Sequence, residues 1–77
     1  MKVEVKVPRT AEEQKNGVLL HWYKNDGDPV EEGEEIAEVM IEKVTVHVKA
    51  PASGRLKILV KENEEVEQGQ VIALIEA

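Results

Sequence analysis

The chain has 77 residues, 42% of them hydrophobic and 34% charged, which suits one compact domain but leaves no room for an enzyme's deep cleft beside a core. Its net charge of −6 disfavours nucleic-acid phosphates and anionic lipids as partners, no apolar run could span a bilayer, and the absence of cysteine excludes disulfides and thiolate zinc sites. We therefore expect one soluble domain, monomeric in isolation, that binds protein partners in the cytoplasm or, in a eukaryote, in the mitochondrial matrix.

Apolar residues recur at every second position through most of the chain, which is the period of a strand with one buried face. In chain order the alternating runs lie at residues 3–7, 18–22, 37–41, 44–48, 56–60 and 72–75, and the buried phase of the second run is Val18, Leu20 and Trp22. Turn-forming residues separate the runs, and only residues 11–15 could form a helical turn. The pattern predicts an all-β sandwich or barrel.

An internal repeat divides the chain into two similar halves, at about residues 1–41 and 44–77, joined at 42–43. A shift of 36 positions aligns Leu20 with Leu56, Trp22 with Ile58, Gly27 with Asn63, Val30 with Val66, Gly33 with Gly69 and Ile36 with Ile72. One half alone could not bury its apolar face, so the repeat predicts a single domain of two small sheets related by a pseudo-twofold axis.

The apolar phase reverses between the two halves, at Glu42-Lys43. Within residues 37–48 the expected buried positions are odd-numbered up to Ile41 and even-numbered from Val44 onward, which a straight strand cannot accommodate. A two-residue hairpin turn at Glu42-Lys43 accommodates the change by placing Ile41 opposite Val44, and it puts Lys43 at the tip. Such turns favour Asn-Gly or Gly-Xaa, and Glu-Lys gives no help toward positive φ. Taken alone, the charged pair is also typical of an ordinary solvated turn.

Three segments resemble the lipoyl domains of the biotin- and lipoyl-attachment family, which occur in the acyltransferase components of 2-oxoacid dehydrogenase complexes. Residues 38–46 are similar to the family's modified hairpin, in which an acidic residue precedes the lipoylated lysine and a small or β-branched residue follows it. Residues 22–33 resemble its strand and Gly-Asp turn, and residues 50–54 resemble its Pro and Gly loop. The resemblance covers residues 3–76. It implies a flattened barrel of two four-stranded antiparallel sheets.

The resemblance also implies the function of a carrier. Lipoate would be joined to Lys43 as a swinging arm, with Met40, Ile41, Glu42 and Val44 as recognition residues, and the domain by itself would have no catalytic residue. The implied partners are a lipoate-protein ligase or lipoyl transferase, a thiamine-diphosphate-dependent 2-oxoacid decarboxylase, the acyltransferase core and dihydrolipoamide dehydrogenase. The domain would belong to a dihydrolipoyl acyltransferase.

The sequence departs from the family pattern at two places and leaves two alternatives open. In the hairpin, Glu42 replaces the Asp that usually precedes the lysine, and Met40-Ile41 stands where the family commonly has Glu-Thr or Glu-Ser. Residues 9–17 lack the family's usual acidic-glycine pattern. The first alternative is a biotin carrier, whose lysine is typically flanked by methionines. The second is an unmodified interaction module of the same fold.

The remaining polar candidates favour structural roles. His21 and His47 occupy outward positions on different strands with no third ligand in obvious register, so we expect no metal site. Trp22 shares the core phase. The pseudo-twofold axis would place the chain termini at the end of the domain away from Lys43, and the loop 9–17 at the Lys43 end, where we expect it to help choose the partner.

Overall fold

Eight β-strands form the fold in the computed structural model, which describes residues 1–9 and 16–77. They are β1 (Lys2–Lys6), β2 (Asn16–Trp22), β3 (Pro29–Val30), β4 (Glu35–Ile41), β5 (Val44–Lys49), β6 (Gly54–Ile58), β7 (Glu65–Glu67) and β8 (Val71–Glu76). Two four-stranded antiparallel sheets have the strand orders β1-β8-β6-β3 and β5-β4-β2-β7. The predicted all-β architecture is confirmed. Within the described residues there is no helix long and apolar enough to cross a membrane.

The two sheets have the same topology. Strands β1, β8, β6 and β3 of the first sheet correspond, in that order, to strands β5, β4, β2 and β7 of the second. The backbone repeats this relationship at its turns. Gly27 and Asn63 have φ of 91° and 71°, and Gly33 and Gly69 have φ of 87° and 85°. Asn is the residue that best replaces Gly at positive φ, as the alignment of Gly27 with Asn63 predicted.

The core lies between the sheets and is made of aliphatic side chains from both halves. Its largest fully buried members are Leu19, Ile36, Leu56, Ile72, Ile75, Val5, Val7, Val39 and Val66. Trp22 also packs in the core, as predicted, and its Nε1 donates a hydrogen bond to the carbonyl oxygen of Val60 at 2.8 Å. The indole is thus both buried and satisfied, so it serves packing rather than ligand stacking.

The predicted buried phase of β2 is wrong at two positions. Leu19 is fully buried, whereas Val18 is 39% exposed and Leu20 is only half-buried. The cause is a β-bulge between Leu19 and His21, which inserts one residue and lets Leu19 and Trp22 both face the core. The structural counterpart of Leu56 in the first half is therefore Leu19 rather than Leu20.

Candidate functional site

A tight hairpin joins β4 to β5 at the junction of the two halves. Its register pairs Ile41 with Val44, Val39 with Val46 and Ala37 with Val48, as the change of apolar phase predicted. Glu42 and Lys43 alone form the turn. Glu42 has a φ of 58° and Lys43 is not in the positive range, which is the φ pattern of a type II′ turn. The structure therefore holds a glutamate where such a turn favours glycine.

Burial decreases along β5 toward the turn. Val48 is buried and Val46 half-buried, but Val44 is 59% exposed, so the expectation of a buried Val44 is wrong. Ile41, its direct partner, is buried. Val48 lies on the same edge strand and is buried, so the loss of cover follows the approach to the turn and not the edge position of β5. The tip therefore exposes one apolar side chain immediately after Lys43.

Lys43 is exposed at the tip of this hairpin. Its ammonium group forms no hydrogen bond or ion pair with residues 1–9 or 16–77. A partner enzyme could therefore reach Nζ without first breaking a contact to the described part of the chain.

Gly17 lies beside the base of the turn, opposite Ile41. A Cβ atom on Gly17 would lie 2.6 Å from the carbonyl oxygen of Met40 and 2.9 Å from Cγ1 of Ile41, so only glycine fits. The end of the loop 9–17 is therefore at the Lys43 end of the domain. Residues 10–15 lie outside the described residues, and for them both the partner-selecting loop and the helical turn stay predictions. Sequence reasoning missed Gly17, although an isolated glycine within a strand is a signal of close backbone approach.

The chain termini lie at the other end of the domain. Strand β5 leads away from the turn, and the Ala50 that follows it accepts a backbone hydrogen bond from Gly33 and donates one to Glu34. Shortly afterwards Gly54 packs so closely against Glu76 that a Cβ atom would collide with the Glu76 carbonyl oxygen. The nitrogen of Ala77 donates to the carbonyl oxygen of Met1 at 2.9 Å. Chain continuing from either terminus would leave the domain away from Lys43.

The two histidines lie on the outer face of the hairpin sheet, in one row with Glu38. Nδ1 of His21 is 2.9 Å from Oε2 of Glu62, and Nδ1 of His47 contacts Glu35. Glu35, Glu38 and His47 bring potential ligand atoms within 4.8 Å of one another, a grouping that sequence reasoning missed. Glu35 joins this face because a bulge between Glu35 and Ala37 turns both Ile36 and Ala37 into the core.

An ion pair fixes the segment that connects the two sheets at the end away from the turn. Nζ of Lys24 lies 2.9 Å from Oε2 of Glu34, and the backbone N–H of Glu31 donates to Oε1 of the same carboxylate. The hydrogen bond from Lys24, together with that from Glu31, lowers the pKa of Glu34 below its usual value. The same hydrogen bond raises the pKa of Lys24. These charges support the fold and are distant from the hairpin.

Comparison with known proteins identifies the same type of domain. Residues 3–76 match a family model described as a biotin-requiring enzyme and named for biotin and lipoyl. The chain is 43% identical over 97% of its length to the dihydrolipoyllysine-residue acetyltransferase component of the acetoin cleaving system of Bacillus subtilis. It is 42% identical over 94% of its length to the dihydrolipoyllysine-residue succinyltransferase component of the 2-oxoglutarate dehydrogenase complex of Staphylococcus saprophyticus. The chain spans only 19% and 17% of those proteins.

Proposed function

The chain belongs to the biotin- and lipoyl-attachment family, and on this premise we propose that residues 1–77 form a carrier domain that bears lipoate in amide linkage on Lys43. The observation that carries the proposal is the position of Lys43, exposed in a two-residue turn at the end of the domain away from both termini. The fold thus separates the attachment point from any tether.

The residues at the tip fit an amide-linked cofactor. Lys43 offers a primary amine on a flexible four-carbon stem, and its neighbours in the turn leave it exposed. In attachment, ATP activates the carboxylate of lipoate as an acyl adenylate with release of pyrophosphate. The Lys43 ammonium group loses one proton to become a nucleophilic amine, Nζ then bonds to the activated carboxyl carbon, and AMP and the second proton leave. The amide removes the positive charge of Lys43. When bound, lipoate supplies a reducible disulfide ring that can carry an acyl group.

The domain's own contribution is presentation and reach. Catalysis would reside in the partners, because the described residues form no constellation that could perform acyl transfer, and the chain would work as one part of a dihydrolipoyl acyltransferase. The partners proposed are a thiamine-diphosphate-dependent 2-oxoacid decarboxylase, the acyltransferase core and dihydrolipoamide dehydrogenase. A tether at the end of the domain away from Lys43 would make each encounter effectively intramolecular, so that modest affinity for each partner suffices.

The side chains around the turn are proposed to mark Lys43 for its attaching enzyme, a lipoate-protein ligase or lipoyl transferase. Glu42 precedes the lysine and the exposed Val44 follows it. Met40 is 37% exposed, whereas Ile41 is buried and acts by holding the turn in place. The attaching enzyme would therefore contact Met40, Glu42 and Val44 directly.

A biotin carrier is the second candidate, because the matching family model is described as a biotin-requiring enzyme. Biotin carriers resemble lipoyl domains in loading a hairpin lysine, and Met40 lies near Lys43. The immediate neighbours Glu42 and Val44 favour lipoate, as does the naming of the relatives for dihydrolipoyllysine.

The deciding experiment is an intact mass measurement after incubation with ATP, lipoate and a lipoate ligase, with a parallel reaction that contains biotin and a biotin ligase. We expect one lipoyl addition to the wild-type domain and none to Lys43→Arg. Lys49→Arg is the matched control, because Lys49 is an exposed lysine of the same hairpin and should leave modification intact. Addition of biotin alone would refute lipoate as the cofactor, and an unchanged mass with both ligases would favour an unmodified interaction module.

A further inference from the structure

A row of four outward-facing residues crosses the hairpin sheet next to the turn. Val18 pairs with Glu65 on one side and with Met40 on the other, and Met40 pairs with Thr45. We call these four residues the hairpin row. Val18 and Met40 are 39% and 37% exposed, and only Glu65 carries a charge. An uncharged strip therefore covers the outer face of three neighbouring strands immediately below Lys43.

The internal symmetry of the fold provides a second row in the same register at the end that holds the termini. Arg55 pairs with Pro29 on one side and with Glu76 on the other, and Glu76 pairs with Lys2. We call these residues the terminal row. Arg55, Glu76 and Lys2 stand in place of Val18, Met40 and Thr45, and Nζ of Lys2 lies 3.7 Å from Oε1 of Glu76. Three charged residues therefore occupy, in the sheet β1-β8-β6-β3, the positions that Val18, Met40 and Thr45 occupy in the hairpin sheet.

The fold does not require uncharged side chains at the positions of Val18, Met40 and Thr45. A charged ladder occupies the equivalent register, and charges on an outer face protect sheets against association. Exposed apolar side chains grouped on a sheet face are typical of contact surfaces. The uncharged stretch is therefore confined to the sheet that carries the Lys43 hairpin, where a partner must approach.

We propose, on the basis of the carrier function above, that the hairpin row is the docking surface for the enzyme that attaches lipoate to Lys43. The reach of the lysine selects this partner. During attachment the reacting atom is Nζ itself, at the end of a four-carbon stem, so the attaching enzyme must come within one side-chain length of the turn. Enzymes that act later meet the far end of the longer lipoyl arm and need not touch Val18 or Met40.

The surroundings of the row indicate the chemistry of the matching enzyme surface. Glu65 ends the row, and Glu42 and Glu67 are exposed beside it. The chain as a whole has a net charge of −6. An apolar patch bordered by lysine or arginine side chains on the attaching enzyme would complement this arrangement, and the opposite charges would speed the encounter. The same acidic border disfavours an anionic lipid surface as the occupant.

The test transplants the terminal row into the hairpin row with the triple variant Val18→Arg, Met40→Glu, Thr45→Lys. Because Arg, Glu and Lys occupy the equivalent register in the other sheet, we expect the variant to fold, with its urea midpoint close to that of the wild type. We expect kcat/KM for lipoate attachment to fall about tenfold or more. The fall should come from a higher KM for the domain with kcat nearly unchanged, since docking rather than chemistry is impaired. An unchanged kcat/KM in the folded variant would overturn the proposal.

A single variant keeps the test decisive if the triple variant does not fold. Met40→Gln removes the central apolar side chain of the row, and we expect it to raise KM for the domain several-fold. The matched control is Tyr23→Gln. Tyr23 is 44% exposed and follows the end of β2, where its N–H donates to the carbonyl oxygen of Ile36, four positions from Met40 on β4. This separation is about 13 Å along the strand, so the variant should leave KM unchanged. Equal effects of Met40→Gln and Tyr23→Gln would refute a localised docking surface.

Two further measurements identify which enzyme binds the hairpin row. The triple variant, driven to full lipoylation with excess ligase, should undergo reductive acylation by its decarboxylase at the wild-type rate. A loss at that step instead of at attachment would assign the row to the decarboxylase and overturn the proposal. Failure of the wild-type domain to accept lipoate would refute the carrier function and the docking proposal together, whereas normal attachment rates in the variants refute docking alone.

Discussion

Gly17 lies directly opposite Ile41, so close that a Cβ atom on Gly17 would meet the carbonyl oxygen of Met40 at 2.6 Å. Gly17→Ala must therefore displace backbone rather than a flexible side chain. We expect the variant to lose about 1–3 kcal/mol of unfolding free energy, measured by urea denaturation.

The control for Gly17→Ala is Lys57→Ala at an exposed strand position, which should change the unfolding free energy by less than about 0.5 kcal/mol. Because Gly17 contacts the hairpin strand, the variant should also slow modification of Lys43 at a temperature where it remains folded. Wild-type stability in Gly17→Ala would show that the strands can separate at this point without cost.

Glu42 occupies positive φ at the first position of the turn, where glycine has the conformational advantage. Comparing Glu42→Gly with Glu42→Ala isolates the backbone effect, since both variants lack the carboxylate. We expect the glycine variant to be more stable than the alanine variant by about 1 kcal/mol in thermal or urea unfolding. Equal stabilities would mean that the turn relaxes to negative φ when the side chain is shortened.

Trp22 combines packing in the core with a hydrogen bond from its Nε1 to the carbonyl oxygen of Val60. Trp22→Phe removes volume and leaves that oxygen without this donor, and we expect it to cost about 1–3 kcal/mol of unfolding free energy. Tyr23→Phe, which removes only a hydroxyl from an exposed side chain, should be nearly neutral in the same denaturation experiment. A neutral Trp22→Phe would show that water replaces the indole as the donor.

The sequence predicted the hairpin register because a change of apolar phase at Glu42-Lys43 has one simple structural solution, the pairing of Ile41 with Val44. It did not predict the bulge at Leu20. Val18, Leu19 and Leu20 are all apolar, so alternation alone could not decide which of them faces the core.

Two further features escaped the sequence for a related physical reason. Alternation tells which face of a strand a residue occupies, but not how far the opposite sheet extends, so the exposure of Val44 could not be read from its phase. Glu35 reaches the outer face beside His47 only through a second bulge. The attachment of lipoate to Lys43, in contrast, rests on family resemblance, and the mass of the domain after incubation with the ligase tests it.

The ion pair between Lys24 and Glu34 makes stability depend on pH with a definite sign. The pKa of Glu34 is lowered from 4.5 by the hydrogen bonds from Lys24 and the Glu31 N–H, so the charged carboxylate stabilises the folded state fully above pH 4.5. This contribution is lost as the pH falls through the lower pKa of the folded state. The pKa of Lys24 is raised above 10.5, so its contribution is present below that pH and is lost as the pH rises through the folded value.

Lys24→Met should therefore flatten the pH dependence at both extremes. In urea unfolding at neutral pH and at about pH 3, we expect the variant to lose less stability on acidification than the wild type, with the Glu31 N–H bond retaining part of the effect. Lys57→Met, which removes an exposed lysine that has no recorded ion pair to the described residues, should keep the wild-type slope. If the unfolding free energies of wild type and Lys24→Met fall equally on acidification, solvent screens the ion pair completely. The segment between the sheets would then be held by its backbone hydrogen bonds alone.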